Sequence, residues 1–139
     1  MHKNDCIFCK IAEHEIPASI VYEDEDVMAF LDISQVTKGH TLVISKKHYD
    51  NFLAVPKDVM HKVIDVAQRI GQADILVFGA KGVNILTNVN KEAGQSVFHF
   101  HVHVIPRYVA DEGFQITMKD GSEEKLNLPV LAESIKKAL

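Results

Sequence analysis

The chain has 139 residues, 47% hydrophobic and 24% charged, with a formal net charge of −4, a size that supports one domain with a sizeable core and not two. Its basic runs never exceed two residues and offer no footprint for a nucleic-acid backbone. No apolar run approaches a membrane span and the opening Met-His-Lys-Asn-Asp-Cys carries no signal-like apolar stretch, so a soluble cytoplasmic protein is expected.

Taken in order, Asn4 or Asp5 is expected to cap a short helix that runs to Ile11. Ile20 to Glu23 and Val27 to Asp32 read as strands split by the acidic turn Asp24-Glu25-Asp26. Thr41 to Ser45 reads as another strand after the turn signal Lys38-Gly39. Pro56 suits the first position of a helix, with Asp58 in its first turn. Val59, Met60, Val63, Ile64, Ala67, Ile70, Val77 and Phe78 then recur at helical spacing and predict its buried face. Gly79 and Gly82 end that helix, Val83 to Thr87 reads as a strand, and Asn88 to Gly94 is a turn-rich loop. Leu128 to Leu139 predicts a terminal helix with Pro129 near its start. Tyr22 and Phe30 read as core. Adjacent strands with one long helix predict a single α+β domain over residues 1–139, an antiparallel sheet with the helix on one face.

The densest chemical signal is His99-Phe100-His101-Val102-His103. Side chains alternate along a strand, so the three imidazoles share one face while Phe100, Val102 and Val104 line the other. His99 and His103 lie about 13 Å apart along such a strand, too far for all three to hold one ion. At least one ring is free for nucleophilic or acid–base work. Cys6 and Cys9 form a Cys-Ile-Phe-Cys pair, the only cysteines present. A lasting disulfide is unexpected in a reducing compartment, and no strand precedes the pair as a redox motif requires. Half of a zinc site and two buried small hydrophobes remain as readings.

The stretch from Gln95 to Ile105 resembles the signature of the histidine triad (HIT) proteins. The resemblance runs over roughly residues 5–108. It includes Cys-Ile-Phe-Cys-Lys-Ile at 6–11, Ala-Phe-Leu-Asp-Ile at 29–33, Gly-His-Thr-Leu-Val-Ile at 39–44 and Lys-Lys-His at 46–48, with 109–139 left as a C-terminal extension. It implies a homodimer with a sheet continued across the two-fold axis. It also implies a purine nucleotide or nucleotide conjugate as substrate, attacked at its α-phosphorus by His101 to give a nucleotidyl-histidine. His103, Gln95, Ser96 and the backbone from Gly94 to Ser96 match the donors that stabilise the phosphoryl oxygens, with Ser96 aiding the leaving group. Asp32 matches a ribose ligand, Ile33 a base contact, and Asn88 a phosphate- or ribose-side contact. His40 falls beside the site in a supporting place. His2, His14 and His61 match nothing and read as solvated. Where the family keeps the cysteine pair, the ligand set corresponds to Cys6, Cys9, His48 and His99, a closed structural zinc site with no divalent metal needed for the chemistry.

The cysteine block and Ala-Phe-Leu-Asp-Ile lean toward nucleoside phosphoramidases. Glu-Ala-Gly-Gln-Ser followed by Val-Ile-Pro-Arg leans toward dinucleoside polyphosphate hydrolases. A non-catalytic nucleotide-binding interaction protein and a metal-handling module are the rival readings, the latter motivated by eight histidines.

Overall fold

A computed structural model describes residues 3–121 and 125–139, so His2 lies outside the described residues. Strands β1 (Ile20–Glu23), β2 (Val27–Leu31), β3 (Thr41–Ser45), β4 (Gly82–Leu86) and β5 (His101–Arg107) form one antiparallel sheet in the order β1-β2-β3-β5-β4. Helix α2 (Lys57–Phe78) covers one face and the short α1 (Ile7–Ala12) lies against the other, with α3 (Leu128–Ala138) near the C-terminus. This is the α+β arrangement that the patterning predicts. Among the described residues no helix is long and apolar enough to cross a membrane.

Local chemistry explains the joints. Asp24 Oδ1 accepts the backbone N–H groups of Asp26 and Val27, both at 2.8 Å, and so closes the β1–β2 turn. Gly79 ends α2 in the left-handed region at φ 69°, where a side chain would be strained, and donates its N–H to Ile75 O. The expected cap on α1 is corrected: Cys6, not Asn4 or Asp5, occupies the N-cap, its sulfur accepting the Cys9 N–H at 3.3 Å. Pro56 sits one residue earlier than expected, at the N-cap of α2.

The sheet divides two apolar clusters. Phe100, Val102 and Val104 are fully buried against Val63, Val66 and Ala67 of α2. On the opposite side Phe8 and Ile11 of α1 pack on Met28, Phe30, Leu42 and Ile44. The histidine strand starts at His101, two residues later than its alternation suggests, and His99 and Phe100 lead into it. The Phe100 N–H donates to Tyr49 O at 2.6 Å and Thr87 Oγ1 donates to His101 O at 2.7 Å, which keeps that lead-in in register. Phe30 is buried as expected, whereas Tyr22 only flanks the core.

Helix α2 departs from its apolar pattern at Ile64 and again near its C-terminal end. Ile64, Val77 and Phe78 are exposed, and Val66, Gly71 and Asp74 take buried positions. Asp74 is 5% exposed, and its Oδ2 has no hydrogen-bond partner. Burial pushes its carboxyl up to about 6 from 3.8. A folded-state value above the unfolded one means that the native state holds the extra proton between about pH 4 and 6. Stability therefore falls as pH rises through that window and stays lower above it. Asp74→Asn is expected to raise the urea midpoint at pH 7.5 and to change it little at pH 4. Equal shifts at the two pH values would assign the titration to another group.

Candidate functional site

The imidazole face of β5 is built by what lies under and beside it. Because Phe100 and Val102 are drawn into the α2 core, the rings of His99, His101 and His103 turn toward α1. Phe8 meets His99 and His101 edge-on, with ring centroids 5.9 and 5.0 Å away. The His101 and His103 rings are 5.1 Å apart.

Hydrogen bonds fix the tautomer of the central ring. His101 Nδ1 lies 2.6 Å from His99 O, a carbonyl that can only accept, so Nδ1 carries the proton and Nε2 keeps a lone pair. Burial pushes His101 below the usual histidine range, although the same carbonyl pulls the other way. His103 is pushed down to about 4 by burial and by the neighbouring His101 and His40 rings. His40, at the entrance to β3, is buried and likewise lowered, with Asp32 opposing the shift. These rings are neutral at pH 7. A single N–H···N bond joins His40 Nε2 and His103 Nδ1 across 3.0 Å, and Asp32 Oδ2 lies 3.7 Å from His40 Nε2. The β3–β5 register, in which Leu42 faces His103, brings together rings 63 residues apart in sequence.

A second constellation adjoins the first. Cys6 Sγ, Cys9 Sγ, His48 and His99 offer ligand atoms that all lie within 4.8 Å of one another. His99 Nδ1 is 3.3 Å from Cys6 Sγ and 3.5 Å from Cys9 Sγ, and His48 Nδ1 is 3.4 Å from Cys9 Sγ. A tetrahedral ion with bonds of about 2.3 Å to sulfur and about 2.1 Å to nitrogen needs S···N edges of about 3.6 Å. The far nitrogens are already committed. His99 Nε2 donates to Ser45 O at 2.6 Å and His48 Nε2 to Asp50 Oδ1 at 3.0 Å, leaving both Nδ1 lone pairs aimed at the sulfurs. The His48 hydrogen bond also holds the Asp50 carboxyl below the usual carboxylate range. Burial raises the Cys9 thiol, a cost that a cation beside it would reverse. The donor set therefore fits a metal ion.

Of the remaining candidates Gln95 is buried and the others are half-buried or exposed. Ile33 is fully exposed beside the half-buried Asp32, whose Oδ1 also accepts the Ser34 N–H at 2.8 Å. Asn88 packs over Gly94, which turns at φ 95°, and its Nδ2 is 3.5 Å from Gly94 O. Ser96 is exposed in a 340 Å³ pocket that it shares with Ile7, Val97 and Phe98. Among the described residues it makes no hydrogen bond to His101 or His103. Gln95 differs from the expected phosphate donor. Its Nε2 donates to Asp50 O and Val97 O, at 2.7 and 3.0 Å, and its Oε1 accepts the Asn90 N–H. Both amide protons are spent shaping the loop. His14 and His61 are exposed, as expected. Sequence reasoning missed Phe8, Thr87 and Asp50. Only Asp50, two residues after a candidate ligand, carried a local signal.

The HIT-domain family profile matches residues 13–110. A crystal structure of a HIT family protein from Bacillus anthracis is 45% identical, with 98% of each chain covered and a TM-score of 0.91. A zinc-bound histidine triad family protein from Mycobacterium smegmatis is 36% identical over 97% of this chain and 98% of that one, with a TM-score of 0.75. The adenylylsulfatase HINT3 of Arabidopsis thaliana is 37% identical over 109 residues, 78% of this chain and 55% of that protein.

Cobalt(II) added to the metal-free protein is expected to give a thiolate-to-metal charge-transfer band at one ion per chain. The band should be lost in the Cys6→Ser, Cys9→Ser double variant. A band that survived the double substitution would place the ion elsewhere.

Proposed function

The chain belongs to the HIT family, and on that premise we propose that it is a purine-nucleotide hydrolase that acts at the α-phosphorus through a nucleotidyl-histidine, with a nucleoside 5′-phosphoramidate as substrate. The observation that carries the reading is the His101 tautomer. Its Nε2 lone pair faces away from the His99 carbonyl and is ready to attack without first losing a proton. Attack forms the Nε2–P bond and breaks the P–N bond, and the leaving nitrogen takes a proton from solvent water to depart as the amine. The imidazolium that results keeps its Nδ1 proton on the His99 carbonyl, which offsets the new charge.

The reading has His40 donate the proton of the shared N–H···N bond, so that His103 keeps its own on Nε2 for a phosphoryl oxygen. The approach of the Val36 N–H to His40 Nδ1, at 3.5 Å, supports that assignment. Ser96 stands on the rim for the leaving group, Asp32 for the ribose, Ile33 for the base and Asn88 for the ribose or phosphate. The backbone N–H groups of Gly94 and Gln95 are spent on Lys91 O and Asn90 O, so the Ser96 N–H is the backbone donor for a phosphoryl oxygen, and Gln95 acts by holding the loop. Water then attacks phosphorus from the vacated side, the Nε2–P bond breaks, and the water's proton passes to solvent, which restores His101. The similarity to an adenylylsulfatase supports chemistry on an adenylyl group.

Zinc is the ion we assign to Cys6, Cys9, His48 and His99, which would complete four ligands and leave no open position. Bound there, it would supply rigidity to the N-terminal segment and not a Lewis acid to the phosphate. The reading also includes a cytoplasmic location, where the thiols stay reduced, and a dimer formed along β4, an edge strand in the single chain. Light scattering should then return about twice the 15.6 kDa chain mass. A monomer at micromolar concentration would remove the dimer from the proposal.

Rapid quenching with an α-labelled adenosine phosphoramidate should trap a base-stable, acid-labile adduct on His101. His101→Ala should abolish turnover and still bind the nucleotide. Label recovered only on His99 or His103 would refute the assignment, and faster turnover of diadenosine polyphosphates would move the substrate class.

A further inference from the structure

The face of the sheet away from the histidines carries a feature that the proposed chemistry does not use. Between the C-terminal half of α2 and strands β1 and β2 lies a cavity of about 430 Å³, within the range of about 300–1,000 Å³ usual for small-molecule sites. Its wall is mostly hydrocarbon, from Leu31, Ile70, Val77 and Phe78. Its polar members are Tyr22, Thr41, Arg69 and Asp74. Asp74 lines the cavity with only 5% of its surface exposed, and its Oδ2 has no hydrogen-bond partner.

Neighbouring charges do not account for this carboxyl. Arg69 also lines the cavity, but its guanidinium is engaged over the Tyr22 ring, 5.0 Å from the centroid, and lies 4.0 Å from Asp65 Oδ2. Tyr22 OH is turned away, donating to Asp24 Oδ2 at 2.7 Å. Lys38 stacks over Phe78 and Tyr108 at 5.2 and 5.7 Å. Among the described residues no cation pairs with Asp74, and burial alone pushes its carboxyl up to about 6. At pH 7.5 an ionised oxygen therefore sits unpaired against an apolar wall, a costly state for a fold to keep. A guest with a hydrocarbon body and one N⁺–H donor would bury the wall and pair with the Asp74 carboxylate together.

We propose that this α2–β1 cavity is a second binding site, separate from the imidazole face, for a small organic ammonium ion whose amine pairs with Asp74. The sign of the guest follows from the carboxylate, and its apolar body from the lining. An anion is excluded by the same oxygen, and an uncharged isostere forfeits the charge-assisted bond.

The test uses the full-length protein at pH 7.5, titrated with benzylammonium, benzyl alcohol and benzoate and followed by amide chemical shifts. Benzylammonium is expected to bind saturably, with shifts confined to α2, β1 and β2. Benzyl alcohol should bind about 10- to 100-fold more weakly, and benzoate not at all. Asp74→Asn should remove the preference for the cation. Ala73→Phe, which narrows the cavity and leaves the carboxylate in place, should abolish binding and guards against a folding defect in the first variant. Equal affinity for the amine and the alcohol, unchanged binding in Asp74→Asn, no saturable binding, or shifts centred on His101 and His103 would each overturn the proposal.

Discussion

The hydrogen bond from His101 Nδ1 to the His99 carbonyl, 2.6 Å long, is the contact on which the rest of the site depends. It settles which ring nitrogen carries the proton, and it can do so only while that carbonyl stays still. The carbonyl is fixed because every other part of His99 is committed. The ring is fully buried, Nε2 is tied to Ser45 O, and Nδ1 faces the two sulfurs. One residue thus serves two constellations, with its side chain in the cysteine cluster and its backbone under the His101 ring. The alternation of β5 makes this possible, since Phe100 and Val102 pull the strand onto the α2 core from the other side.

Low polarity then does much of the electrostatic work. Desolvation is the leading cause of the depressed values at His40, His101 and His103. Neutral imidazoles can stack edge to edge at 5 Å where three cations could not. Among the described residues Asp32 is the one acid that acts on this group, and it opposes the shift at each of the three rings.

Much of this was legible in the chain. The period-two histidines, the helical spacing from Val59 to Ile70 except at Ile64, and the strand limits at Thr41 and Ser45 correspond to what the structure contains, because each reflects a local periodicity that burial enforces. What stayed hidden depends on distant partners. Nothing near His40 announces that it meets His103, since a strand register makes that contact. Gln95 looks like a phosphate donor until the carbonyls of Asp50 and Val97 are seen to occupy its amide. Val77 and Phe78 continue an apolar stripe past the edge of the sheet that would have covered them, and Asp74 interrupts the same helix at a buried place that no propensity rule predicts.

The cysteine cluster also bears on how the chain folds and unfolds. Its ligands come from three segments, and the contacts Cys9–His48 and Cys6–His99 span 39 and 93 residues. Only Cys6 and Cys9 are neighbours before the sheet exists. Closing loops of that length costs entropy that an extended chain cannot recover until β3 and β5 have paired. A cation gripping all four groups would strengthen contacts that exist only once that pairing is made. It would then act more on the lifetime of the folded domain than on the speed of its formation.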